Sequence, residues 1–202
     1  SGTLGITSGG AVTDSGTLAV TGVTTISASG QDITLDQGAS TFGTLALTGV
    51  NVAVTDAGAT DLGASTVSGT LGITSGGAVT DSGTLAVTGA TTISASGQDI
   101  TLDQAASTFG TLALTGANVA VTENAATDLG ASTVSGTFAI TSGGAITDSG
   151  TQAITGDATF TNTAGTDDAI TLDDASNAFG GTVTFTTDSG SAVTIVDTTA
   201  LD

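Results

Sequence analysis

Apolar and polar residues alternate with period two over short stretches of this chain. Leu-Ala-Val at 18–20, Ile-Thr-Leu at 33–35 and Leu-Ala-Leu at 45–47 are examples. Such alternation in segments rich in Val, Ile and Thr predicts half-buried β-strands. Between them stand Ser-Gly-Gly, Asp-Ser-Gly and Thr-Gly, residues suited to tight corners. No stretch carries apolar residues at helical spacing over eleven positions.

The apolar positions recur. One row reads Val12, Ile33, Val54, Val79, Ile100, Val121, Ile146, Ile170 and Val193. A second reads Ile6, Ile26, Leu47, Ile73, Ile93, Leu114, Ile140, Phe160 and Phe185, and a third runs from Val20 through Phe42 and Leu62 to Phe179 and Leu201. The larger repeat is plainer: Ser1-Gly2-Thr3-Leu4-Gly5-Ile6-Thr7 returns at residue 68 and, varied, at 135. Units 1–67 and 68–134 differ at six positions, and unit 135–202 diverges further, with a small insertion near Thr163-Ala164-Gly165. Nine members per row and three units predict three coils of about 22 residues in each unit. Three short strands and three corners per coil are the arithmetic of an all-β fold, a three-sided parallel β-helix (solenoid) forming a single rod over 1–202. Nine coils at strand spacing would span about 43 Å.

Composition gives this pattern its physical sense. Stacked coils place equivalent residues one strand spacing apart, so the interior fills with uniform aliphatic columns. Proline would remove a ladder donor, and there is none. The positions after the first two rows are Thr or Ser throughout, from Thr13 and Thr7 onward, and predict hydroxyl ladders worth about 0.2–1 kcal/mol per pair. A regular Thr face also suits an ice-binding module, a reading that the nearby acids weaken.

The chain has no Lys, Arg or His and no Cys, Met, Trp or Tyr, and carries a formal charge of −19. That excludes a phosphate clamp, a nucleic-acid-binding patch and a basic membrane anchor. It also excludes Ser-His and Cys-His nucleophiles, disulfides and the usual zinc or iron sites. No segment approaches a membrane-spanning helix. Two carboxylates can hydrolyse a glycosidic bond, but no Trp or Tyr is present to stack a sugar and no base to bind a uronate. The expectation is a non-enzymatic protein with no catalytic residues and no cofactor.

The acids follow the repeat. Asp14, Asp36, Asp56, Asp81, Asp103, Glu123, Asp148, Asp173 and Asp197 each fall just beyond the first apolar row and predict one acidic column along a corner. Its plainest role is to keep an apolar rod soluble and to prevent lateral sticking. The alternative is Ca²⁺ bridging between coils, for which these nine acids are the candidate ligands, although no calcium nonapeptide or EF-hand loop is present. Asp167-Asp168 with Asp173-Asp174 is the one irregular acidic patch, and it reads as a loop beside the insertion.

Several blocks carry a resemblance: Asp-Ile-Thr-Leu-Asp-Gln-Ala-Ala-Ser-Thr-Phe-Gly (99–110), Asn-Val-Ala-Val-Thr (118–122), Asp-Leu-Gly-Ala-Ser-Thr-Val-Ser-Gly (128–136) and Ile-Thr-Ser-Gly-Gly-Ala-Ile-Thr-Asp-Ser-Gly (140–150). Together they resemble the repeats of giant bacterial filamentous-haemagglutinin-like adhesins over essentially the whole chain. The resemblance implies a right-handed parallel β-helix, a location outside the bacterial cell or on its surface, and a role as a stalk or adhesive fibre. It supplies no catalytic residues. The partners expected are further coils, through end-to-end self-association or continuation of a longer chain, and a host or cell-surface receptor or polysaccharide. Nucleic acid and membrane insertion are not expected.

Overall fold

The chain folds as a β-solenoid of about nine turns, seen in a computed structural model that describes residues 2–163, 168–187, 190–199 and 201. Among the described residues there is no helix, and 25 strands form two sheets of twelve and thirteen strands. Sheet one runs from Leu4–Thr7 to Val183–Thr186 and sheet two from Val12–Thr13 to Val193–Ile195. Each strand lies parallel on its counterpart from the previous turn, as in Leu4–Thr7 on Ala19–Ser27 and Val12–Thr13 on Ile33–Leu35. Most turns contain three strand segments, gathered into two sheets: a single-strand arm and a two-strand arm such as Val79–Asp81 with Leu85–Val87.

Alternation places the aliphatic side chains inward, as expected. One continuous core cluster runs from Val12 to Phe179, with Ile33, Leu45, Leu85, Ile100, Leu112 and Phe138 fully buried. Removing these side chains from water is the main driving force, about 1.5–3 kcal/mol for each large aliphatic. Corners stack as closely as strands. A Cβ on Gly89 would stand 2.5 Å from the Gly69 carbonyl oxygen, and one on Gly110 2.6 Å from that of Gly89. Glycine is therefore required at these corners.

The register differs from the rows read off the sequence. Val12 lies on Ile33, but Ile33 lies on Val52 rather than Val54. Val54 lies on Ile73, while Val79 lies between Thr60 and Ile100. A turn along the Val12 column takes 19 to 21 residues up to Leu112, through Ile33, Val52, Leu71 and Thr91. The 67-residue unit is thus not three turns but three and a half. Leu4–Thr7 belongs to sheet one, its equivalent Leu71–Ser75 to sheet two, and Phe138–Ser142 again to sheet one. The cause is an extra single-strand arm. Thr111–Gly116 is followed directly by another single strand, Val119–Glu123, and residues 44–49 are followed likewise by Val52–Asp56.

The hydroxyl ladders are corrected by the same shift. The expected Thr column breaks after two members, since Thr34 lies beside Ala53 and Ala53 beside Gly72. Longer runs form by joining members of both rows and residues outside them: Thr7–Ser27–Thr48–Thr66, Thr55–Thr74–Ser94–Thr115–Thr133 and Thr122–Thr141–Thr161–Thr186.

Candidate functional site

Carboxylates are the only charged side chains available, and backbone geometry decides where they sit. Where a strand bends into a corner the ladder is interrupted and N–H groups lose their partners. Asp is short enough to accept such a donor from the neighbouring turn, and an ionised carboxylate is an acceptor only.

Six of the nine predicted acids form three such pairs. The Asp36 N–H donates to Asp14 Oδ1 at 3.1 Å. In the second unit the N–H groups of Asp103 and Gln104 donate to Asp81 at 2.8 and 3.3 Å. In the third, those of Asp173 and Asp174 donate to Asp148 at 2.9 and 3.3 Å, and the Asn177 side-chain amide joins them. Burial pushes the Asp81 carboxyl upward against these backbone donors. The pairs alternate between sheets, because Val12–Thr13 and Ile146–Asp148 belong to sheet two and Val79–Asp81 to sheet one.

Asp56, Glu123 and Asp197 form a second class. Each precedes a residue whose N–H donates to a carbonyl one turn below: Ala57 to Ser40, Asn124 to Ser107 and Thr198 to Asn177. Asp56 is 1% exposed and takes the Gly58 N–H at 2.9 Å and the Thr60 hydroxyl at 3.2 Å. Glu123 is 3% exposed and takes the Phe109 N–H at 3.1 Å, and burial pushes its carboxyl up to about 7. At Asp197 the upward push of burial is outweighed by the Phe179 N–H, at 3.0 Å, and by Thr199, which together hold it below the usual range.

The expected single column is therefore three pairs, two row-end caps at Glu123 and Asp197, and Asp56 bonded within its own corner, distributed over both sheets. All nine follow an apolar row residue in the sequence, and the half-turn that separates them is set by the fold. Among the described residues, no group of three or more carboxylates comes together to hold a metal ion. Asp168, whose carbonyl accepts the Asn162 side-chain amide at 2.9 Å, is described. Asp167, with Ala164 and Gly165 of the insertion, lies outside the described residues.

Other polar ladders lie outside the apolar rows and the acids that follow them. Asp32 Oδ1 accepts both the backbone and side-chain N–H of Asn51, whose own Oδ1 accepts the Thr70 N–H and hydroxyl. Asp99, Asn118 and Thr137 repeat this arrangement one unit later. Asp61 accepts the hydroxyls of Thr44 and Ser82, and Asp128 those of Thr111 and Ser149. The available signal was the recurrence of Asp, Asn and Thr at 19-residue spacing, one turn by the observed register. Chemically, these arrangements satisfy backbone donors and lock adjacent turns together.

A family model described as "Repeats of unknown function (DUF5649)" matches residues 1–48, 49–115 and 116–186. Its second and third matches begin 67 residues apart, the same period read from the sequence in a different phase. No curated protein and no solved structure matches the chain.

Proposed function

The chain belongs to the DUF5649 repeat family, and from that premise we propose that it is a non-enzymatic structural segment of an extracellular bacterial surface filament or adhesin. The observation that carries this reading is the uninterrupted core from Val12 to Phe179, clad along its length by parallel ladders and carboxylate-capped corners. Each turn is held by its neighbours, so the segment resists bending and local opening. The absence of Lys and Arg leaves trypsin-like proteases no site to cut. The likeness of its repeat blocks to filamentous-haemagglutinin-like adhesins supports the same role.

Partners of such a segment are further turns, of the same chain or of a second copy. Two measurements test the proposal. Tandem addition of one 67-residue unit should lengthen the particle by about 17 Å in solution scattering, at 4.8 Å per turn. Antibodies to the repeat should label intact cells of the source organism. Labelling only after lysis would overturn the extracellular reading, and a compact particle of unchanged length would overturn the stalk.

A further inference from the structure

The second strand row of sheet one runs through Ser65–Val67 and Leu85–Val87 to a bridge between Ala86 and Thr108. It stops there, because the next turn begins with the extra single-strand arm Val119–Glu123. Two contacts close the end of the row. The Asn124 N–H donates to the Ser107 carbonyl at 2.9 Å, and the Phe109 N–H donates to Glu123 Oε2. The second carboxyl oxygen, Oε1, is buried and makes no well-formed hydrogen bond, and the nearby Thr127 hydroxyl, the counterpart of Thr60, offsets the burial of the carboxyl only in part.

The equivalent corner of the first unit is built differently. Both oxygens of Asp56 are engaged, one by the Gly58 N–H and one by the Thr60 hydroxyl, which also donates to Ser75 Oγ at 2.9 Å. The second unit replaces Asp56-Ala57-Gly58 with Glu123-Asn124-Ala125, and the longer side chain reaches across to Phe109. No charge compensates Glu123. The elements packed against it are Phe138–Ser142, residues 107–109, Ile100–Leu102 and Thr127–Leu129. Their one titratable group is Asp128, whose carboxylate is engaged by the hydroxyls of Thr111 and Ser149. Asp103, which follows Ile100–Leu102, accepts the Gln104 side-chain amide.

We propose that the Glu123 junction is a pH-sensitive breakpoint in the rod, where ionisation of one buried carboxyl releases the end of the strand row at Phe109. Protonated, the side chain sits neutral in its buried site and the row stays closed. Ionised, it carries a buried charge that the Phe109 N–H and the Thr127 hydroxyl offset only in part, a state relieved by opening the corner to water. The Asp56 junction stays closed over the same range.

Glu123 is the sole glutamate in the chain, so selective ¹³C labelling of glutamate yields one carboxyl resonance. Its titration midpoint should fall near 7, and a midpoint below 5 would overturn the proposal. Hydrogen exchange of the full chain, digested with pepsin and corrected for the intrinsic pH dependence, locates the opening. Between pH 5.5 and 8.5, peptides covering residues 107–127 should lose protection about tenfold or more, while those covering 40–60 hold theirs. Glu123→Gln should abolish the difference. Equal losses at both junctions, or a difference that survives in Glu123→Gln, would sink the proposal; should that variant not fold, the resonance of the unaltered chain still decides.

Discussion

The first two units and the third enclose the same kind of interior with different side chains. Leu4 and Leu71 are matched by Phe138, Ile26 and Ile93 by Phe160, and Leu47 and Leu114 by Phe185. Phe160 packs edge-on against Phe138 and Phe179, at 5.9 and 6.0 Å between ring centroids, and stacks on Phe185 at 5.8 Å. Room comes from a neighbouring position: buried Thr24 and Thr91 become Ala158. A polar pair changes in concert as well. In the first two units the N–H of Leu18 or Leu85 donates to Ser40 or Ser107, both at 3.0 Å. In the third, Gln152 donates its N–H to Asn177 at 2.8 Å, and its side-chain amide donates to the carbonyls of Gly130 and Gly150. The ladder dictates which positions point inward and which donors need partners, while total volume and hydrogen bonding are met in more than one way.

Truncating the aromatic cluster should break this contrast most strongly. Phe160→Ala should cost about 3–5 kcal/mol, more than Ile93→Ala at the equivalent position, as measured by urea unfolding. Equal costs would show that the rings add nothing beyond burial. Next in size is the acid–base response. The folded state holds the Glu123 proton more tightly than the unfolded chain, so that stabilisation is complete below about 4.5 and lost as pH rises to about 7. The loss is bounded at about 3 kcal/mol, and Glu123→Gln should flatten stability across that window.

Asn177→Ala should cost about 1–3 kcal/mol by leaving the buried Gln152 N–H unpaired. Ser107→Ala should cost less, since Asn177 also donates to Asp148. The reverse order in thermal unfolding would show that the serine version is the tighter. Thr24 and Thr91 bury hydroxyls without partners, so Thr91→Val should stabilise by about 1 kcal/mol. The smallest effect is expected from metal removal. Carboxylates committed singly or in pairs to backbone N–H groups leave the melting midpoint unchanged when Ca²⁺ is exchanged for a chelator at constant ionic strength. A clear rise with Ca²⁺ would turn the acidic pairs into ion sites.

Much of this architecture is legible in the residues themselves. Period-two alternation identifies which side chains point inward, because successive Cβ atoms in a strand face opposite ways. The small and acidic corners and the 67-residue repeat are equally plain, and together they imply a parallel solenoid. Alternation carries no information about which coil a residue stacks on. Val54 sits at an inward position whether the residue on the preceding turn is Ile33 or Leu35, so only the assembled ladder selects Leu35. The tertiary structure likewise decided the acids: Asp14, Asp56 and Asp81 each follow an apolar-Thr pair, yet their partners lie in different surroundings. One extra single-strand arm per unit turns three coils into three and a half. That half-turn moves each equivalent residue to the opposite sheet, since corner geometry rather than residue pattern sets how far the chain advances around the axis.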